Sequence, residues 1–377
     1  MNSLELFAGV GGLALGLHQA GFEPKALIEW NKDACRSIVA YGAANWNVIQ
    51  ADARSVKFSD FKPVHLVSGG PPCQPFSLGG KHKAFNDKRD MFPEAVRAVK
   101  DLQPQAFVFE NVKGLLRETF RPYFSYILLQ LAHPELEAKD GEDWICHNKR
   151  LSEHHSGALI SGLDYDVSFS LLNAADYGVP QMRNRVMIIG FRKDLGIKWS
   201  FPEPTHSKEK LAYAKHVDGS YWDEHGISGK ETPTLHGQLE LPQQSKERWR
   251  TVRDALSGLP DPQSGNIYVV PNHEYRIGAK EYPGHSGSVL DQPSKTIKAG
   301  VHGVPGGENM IALDDGTKRY YTVRESARIQ TFPDDFVFQG SWTECMHQIG
   351  NAVPVKLAYV IGKAIAEKLE NAGAGKT

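Results

Sequence analysis

Seven short apolar runs mark the first half of the chain: Ser3 to Phe7, Lys25 to Glu29, Asn47 to Ala51, His65 to Ser68, Ala106 to Glu110, Tyr165 to Leu172 and Arg185 to Phe191. Their length and apolar character predict strands of one sheet. Between most of them apolar residues recur at helical spacing, over Leu13 to Ala20, Lys32 to Tyr41 and Pro93 to Leu102. That alternation predicts a doubly wound α/β sheet, which binds ligands beyond the carboxyl ends of its strands. The stretch from Arg117 to Gly162 is longer than a simple connection. Its apolar segment Tyr123 to Leu131 and the charged, His-rich sequence after it predict a helix followed by a surface insertion.

From about Ser200 to Tyr320 the texture changes to Gly, Pro, His and short polar segments with few clear helices, which predicts a second, smaller, irregular domain. Helical spacing returns at Val323 to Thr331 and at Val355 to Asn371. The resulting divisions are 1–199, 200–320 and 321–377. No internal repeat is visible.

Lys and Arg (43) nearly balance Asp and Glu (44), so a polyanion partner would need a local basic cleft rather than a basic molecule. Segments Lys246 to Arg253, Lys295 to Lys298 and Lys318 to Arg319 are the candidates, with a solvated face as the alternative for each residue. The cysteines, Cys35, Cys73, Cys146 and Cys345, form no C-x-x-C pair, which points to a reducing compartment and calls for no metal. Cys146-His147 with His154-His155 reads as a polar surface loop, because a second cysteine is missing. The N-terminus enters a strand pattern directly, and no apolar run approaches the roughly 20 residues of a membrane span, so a cytoplasmic protein without a membrane partner is expected. The final Ala374-Gly375-Lys376-Thr377 mimics a phosphate-binding loop, but Glu370 stands where the first glycine belongs, and it reads as a frayed tail.

Phe7-Ala8-Gly9-Val10-Gly11-Gly12 follows the first strand and opens a helix, so a ligand can approach bare backbone there. Glu29 closes the second strand about 20 residues on, where a carboxylate can accept from two ribose hydroxyls. Trp30 offers a flat face to an adenine ring, and Asp52 follows the third strand within reach of its amine. A helix N-cap is the alternative for either carboxylate. The turn is shorter than a dehydrogenase pyrophosphate cradle, which favours a mononucleoside cofactor such as S-adenosyl-L-methionine.

Pro71-Pro72-Cys73-Gln74-Pro75-Phe76-Ser77 presents a cysteine on a stiff turn after the fourth strand, a placement suited to a nucleophile, with inert packing as the alternative. The fifth strand ends in Glu110-Asn111-Val112, which puts a carboxylate at the same sheet edge. Gln181-Met182-Arg183-Asn184-Arg185 carries two arginines at alternate positions. They are expected on one face and are suited to a base carbonyl or phosphate, or else are surface charge.

In this order, and continuing through Arg324-Glu325-Ser326-Ala327-Arg328-Ile329-Gln330-Thr331-Phe332-Pro333 to Gln348-Ile349-Gly350-Asn351-Ala352-Val353-Pro354, the motifs closely resemble those of the cytosine-5 DNA methyltransferases. Ala51 stands before Asp52 where many members carry Gly. The resemblance implies an S-adenosylmethionine-dependent methyltransferase (Rossmann-like) sheet carrying a target-recognition domain at 200–320. It implies that Cys73 adds to C6 of a flipped-out cytosine while Glu110 supplies a proton to N3, that Arg185 holds O2, and that Arg183 orients backbone or the Glu110 region. Phe7, Gly9, Gly11, Gly12, Glu29, Trp30, Asp52, Pro72, Asn351 and Val353 are expected around the cofactor. Gln74, Ser77, Asn111 and Thr296, the last in Pro293-Ser294-Lys295-Thr296-Ile297-Lys298-Ala299-Gly300, are expected around the substrate.

The implied partners are double-stranded DNA and a cognate restriction endonuclease acting separately, with the chain acting as a monomer. A tRNA methyltransferase is the alternative on the same fold, disfavoured because those relatives carry Cys-Phe-Thr where this chain has Cys73-Gln74-Pro75. An inactive DNA-binding relative would lack Cys73 or Glu110, and both are present. A nicotinamide dehydrogenase finds no hydride-transfer site.

Overall fold

The computed structural model describes residues 1–42, 46–72, 90–157, 162–228, 246–264, 270–280, 286–300 and 309–374. The chain divides into two compact units, the first made of Met1–Leu172, Asn184–Phe201 and the chain from Ala358 onward, the second of Asn173–Arg183 and Pro202–Leu357.

The first unit is built on β1 (Asn2–Leu6), α1 (Gly12–Gln19), β2 (Glu23–Glu29), α2 (Lys32–Tyr41), β3 (Val48–Gln50), β4 (Leu66–Gly69), α3 (Phe92–Leu102), β5 (Ala106–Val112), α4 (Arg121–Ala132), α5 (Trp144–Ser156), β6 (Tyr165–Asn173) and β7 (Asn184–Arg192). The seven strands expected from the apolar runs form one sheet in the order β3-β2-β1-β4-β5-β7-β6. β1 pairs parallel with β2 and β4, and β4 with β5, whereas β7 runs antiparallel to β5. Alternate strand residues supply cores on both faces. Leu4, Leu6, Val67, Phe107 and Phe109 pack with Phe92, Ala95, Val99 and Ile127 of α3 and α4, while Leu27 joins Ala14 and Ile38 of α1 and α2. The chain leaves β1 towards β2 on one side and returns to β4 on the other, so the carboxyl ends of these neighbours form the switch point where such sheets bind ligands.

The His-rich segment expected as a surface loop is instead helical. Asp143 caps the Cys146 amide to start α5, and His147 is buried, its ring bonded to Tyr126 Oη (2.8 Å) and Leu136 O (2.6 Å).

The second unit is more helical than its composition indicated. It holds α6 (Lys208–His216), α7 (Ser220–Glu224), α8 (Val252–Leu256), α9 (Val323–Ile329) and α10 (Trp342–Asn351). It also holds a small sheet of Ser288–Val289, Met310–Ala312 and Lys318–Tyr320. Residues 321–357, expected to return to the catalytic domain, group with this unit; only the chain from Ala358, within α11 (Val355–Ala374), groups with the first. The stretch 342–373 is long and apolar enough to cross a membrane by composition, yet Ala352-Val353-Pro354 interrupts it and 67% of its apolar window is buried in the protein, as in a core helix.

Glu5, inside β1, is 2% exposed and accepts from Ser68 Oγ (3.2 Å). Burial pushes its pKa from 4.5 to about 8, against the pull of Ser68 and the Ala14 amide and with help from the Glu29 charge. An acid whose pKa is raised on folding keeps a proton that the unfolded chain releases, so its contribution is favourable at low pH and is lost as the pH rises from about 4.5 to about 8. Glu5→Gln is expected to stabilise the protein at pH 8 relative to pH 5 by roughly 2–4 kcal/mol. Urea denaturation at both pH values measures this, and equal shifts at the two would remove Glu5 as the titrating group.

Candidate active site

The turn after β1 owes its shape to positive φ at Phe7 (54°), Gly9 (55°) and Gly11 (82°). Gly9 has open space where a Cβ would stand, so its backbone is bare to an approaching ligand. Glu29, 6% exposed at the end of β2, holds this turn in place: its Oε2 accepts from Gly9 N (2.7 Å) and its Oε1 from Asn31 N (2.8 Å). A carboxylate offers about four lone-pair sites, so each oxygen keeps one for a ligand hydroxyl. Trp30 stands 77% exposed beside it. Cys35 lies behind, its thiol donating to Glu29 O (3.5 Å), and burial and the Glu29 charge push its pKa up to about 11, which makes it inert.

Asp52 caps a short 3-10 turn by accepting from Arg54 N, and the Arg54 guanidinium grips the same carboxylate, lowering its pKa. Both readings made for Asp52 therefore bear on one side chain. It is already a cap, and an adenine amine would share it with Arg54.

Beyond β4, Pro71 O accepts from Asn111 Nδ2 (3.0 Å), which ties the start of the Pro-Pro loop to the end of β5. Gly70 lies against Glu110; a Cβ there would stand 3.4 Å from Oε2. Cys73, Gln74 and Ser77 lie outside the described residues, and Pro72 is the last described residue before them. Glu110 is 7% exposed and forms an ion pair with Arg185 Nε. The register explains the meeting. Glu110 faces Met187 across the antiparallel pair and Arg185 is two positions before Met187, so acid and guanidinium are diagonal neighbours on one face. Burial lowers the Arg185 pKa while Glu110 opposes the shift.

Arg183 serves a different place. It is fully buried in the second unit and donates to Ile297 O (3.0 Å), Gly350 O (2.6 Å) and Ala352 O (3.0 Å). The two arginines expected on one face thus belong to different units, because the chain passes from one unit to the other at Asn184. Around Arg183, Gln181 Oε1 accepts from Ile297 N and its Nε2 donates to Gln330, which donates on to Ile349 O. Thr296 Oγ1 donates to Met182 O (2.7 Å). Gly350 passes so close to Ala299 that a Cβ would lie 2.3 Å from its nitrogen, so no other residue fits. Asn351 is exposed, its Nδ2 against His347, and Val353 is buried in the same unit.

Several basic residues expected to line a cleft are already paired. Arg248 bonds Glu224 and Asp254, Arg253 bonds Asp291 and Asp314, and Arg319, 8% exposed, makes a two-pronged bond to Glu325. The partners of Arg253 stand 38 and 61 residues away in sequence, beyond any local charge pattern, whereas Asp254 and Glu325 lie six residues from Arg248 and Arg319.

The chain matches the profile of the C-5 cytosine-specific DNA methylase family over residues 1–135 and 148–367. It is 35% identical to the type II methyltransferase M.PspPI of Psychrobacter sp. (strain TA137), over 98% of this chain and 80% of that one. It is 31% identical to the type II methyltransferase M.NgoMIV of Neisseria gonorrhoeae, over 98% of each. Among solved structures the S. pombe Dnmt2 methyltransferase superposes with a TM-score of 0.58 at 18% identity, covering 98% of this chain and 99% of that one, a likeness of fold.

Two substitutions probe this geometry. Glu29→Ala is expected to weaken S-adenosyl-L-methionine binding by roughly 1.5–3 kcal/mol, the loss of charge-assisted bonds, and an unchanged calorimetric affinity would place the ribose elsewhere. Arg183→Lys, which replaces a planar fork by a point charge, is expected to destabilise the protein by roughly 2–4 kcal/mol. An unmoved denaturation midpoint would show that the three carbonyls do not need the guanidinium.

Proposed function

This chain belongs to the C-5 cytosine-specific DNA methylases, a type II DNA cytosine-5 methyltransferase, and on that footing we propose how its residues carry the reaction. The observation that supports the reading best is the placement of three features at the carboxyl ends of adjacent strands of one sheet. These are the bare glycine turn and Glu29 after β1 and β2, the Pro71-Pro72 lead into Cys73 after β4, and Glu110 with Arg185 at the end of β5 and start of β7.

Glu29, Trp30 and the Gly9 backbone fit an adenosyl group by their spare carboxylate lone pairs, exposed ring face and open Cβ space. S-adenosyl-L-methionine, when bound there, supplies an electrophilic methyl group. Cytosine C5 is too electron-poor to accept it unaided. The Cys73 thiolate forms a bond to C6, and Glu110, which takes up a proton from water as the base enters, gives it to N3, so electron density gathers at C5 without a full negative charge on the ring. Arg185 holds O2 and orients Glu110. After methylation at C5, a water molecule takes the C5 proton, the electrons of that C–H bond re-form the C5–C6 double bond and expel Cys73 as its thiolate, and N3 returns its proton to Glu110. Arg183 acts as a positioning residue, fixing the Thr296 element and the turn at Gly350 to Ala352. Both ring faces must be reached, so the base leaves the duplex at a cost of about a few kcal/mol, offset by contacts with flanking DNA. In this reading the protein works in the cytoplasm as a monomer and protects host DNA from a separately acting endonuclease.

Bisulfite sequencing of a plasmid from a methylation-free host expressing the chain tests this. Protected cytosines within one recurring short motif are expected, and their loss in Cys73→Ala with cofactor binding retained. Complete conversion with soluble protein present would move the substrate to tRNA, and activity surviving in Cys73→Ala would overturn the nucleophile.

A further inference from the structure

Three imidazoles and a carboxylate meet in the connection between β5 and β6. His133 ends α4, His154 and His155 lie in the last turn of α5, and Asp164 precedes β6. His133 and Asp164 are 3% and 6% exposed. His133 Nδ1 stands 2.7 Å from Asp164 Oδ1, and its Nε2 stands 2.9 Å from His155 Nδ1. The His154 ring meets the His133 ring edge to face at 4.8 Å. One ligand atom from each of His133, His154 and Asp164 lies within 4.8 Å of the others.

We propose that His133, His154 and Asp164 bind one divalent transition-metal ion of the zinc class, with His155 orienting His133 from outside. In this arrangement the ion replaces the proton between His133 Nδ1 and Asp164 Oδ1, and the His133 Nε2 proton is donated to His155 Nδ1. A metal-binding imidazole commonly gives its other nitrogen to such a partner. Two ligand atoms around a tetrahedral zinc ion stand about 3.3 Å apart, so the 2.7 Å contact needs to open by only about half an ångström. His154 is half-buried and His155 exposed, which leaves one side open for the ion to enter and for water as a fourth ligand.

Burial lowers the His133 pKa, Asp164 opposes that shift, and the two neighbouring histidines add to it. Lys193 Nζ lies 3.6 Å from Asp164 Oδ2, so only one carboxylate oxygen is offered to the ion. A single shared carboxylate with two imidazoles suits zinc, cobalt or nickel and not the oxygen-seeking calcium or magnesium. The ion would fasten the ends of α4 and α5 to the start of β6.

The test uses the untagged full-length chain, stripped with chelator and titrated with Co2+ while its visible absorption is followed. One Co2+ per chain is expected, displaced by Zn2+ and not by Mg2+, without the near-ultraviolet band of a cobalt–thiolate bond. His154→Ala and Asp164→Asn are each expected to weaken binding at least tenfold, and Zn2+ is expected to raise the melting temperature of the parent protein but not of His154→Ala. His154 is half-buried, so its variant should fold, and circular dichroism checks this. Absence of saturable binding, binding undiminished in His154→Ala, or a thiolate band that vanishes in Cys73→Ser or Cys146→Ser would each overturn the proposal.

Discussion

A buried guanidinium needs oxygen acceptors for its donors, and in the second unit that need gathers three backbone carbonyls around Arg183. Arg183 reaches Ile297, Gly350 and Ala352, and the carbonyls it needs are supplied by two motifs that lie far apart in sequence. Gln181 and Gln330 complete the network, so that a central loop, the Thr296 element, the α9 turn and the α10 terminus become one body. A buried network of this sort is stable only when every member is satisfied, which makes its residues interdependent rather than individually strong.

The first unit faces the opposite problem, that of burying anions, and it meets it three times in three ways. Glu29 is held by two backbone amides, Glu110 by the Arg185 guanidinium, and Glu5, with weaker partners, by retaining its proton. Those choices suit their surroundings. A carboxylate facing amides or a guanidinium has its charge met where it stands, and a protonated Glu5 adds no further negative charge near Glu29.

Much of this was legible along the chain. The seven strands, their single sheet and the glycine turn with its acid at the end of the second strand follow from period, length and turn chemistry, all local properties. The helix α5 was not, because its polar surface residues mask a few buried contacts such as His147 with Tyr126, which depend on a helix before it. α10 was not read either: Gly350-Asn351 looks like a turn along the chain, and the structure carries the helix from Trp342 through both. Alternate spacing placed Arg183 and Arg185 together, but spacing does not reveal that the chain passes between units at Asn184. Likewise the basic segments proposed for a cleft were read from sign alone, and the acids that engage Arg253 are brought by the fold.

The acceptors of Arg183 lie 114, 167 and 169 residues downstream. During synthesis at about 5–20 residues per second, roughly ten to thirty seconds separate the emergence of Arg183 from that of its last partner. All seven strands of the large sheet have left the ribosome by Arg192, so the catalytic sheet can assemble while the second unit still waits for its closing segment. The network around Arg183 therefore cannot close until residue 352 is available, and the first unit, which includes the chain from Ala358 onward, is completed later still.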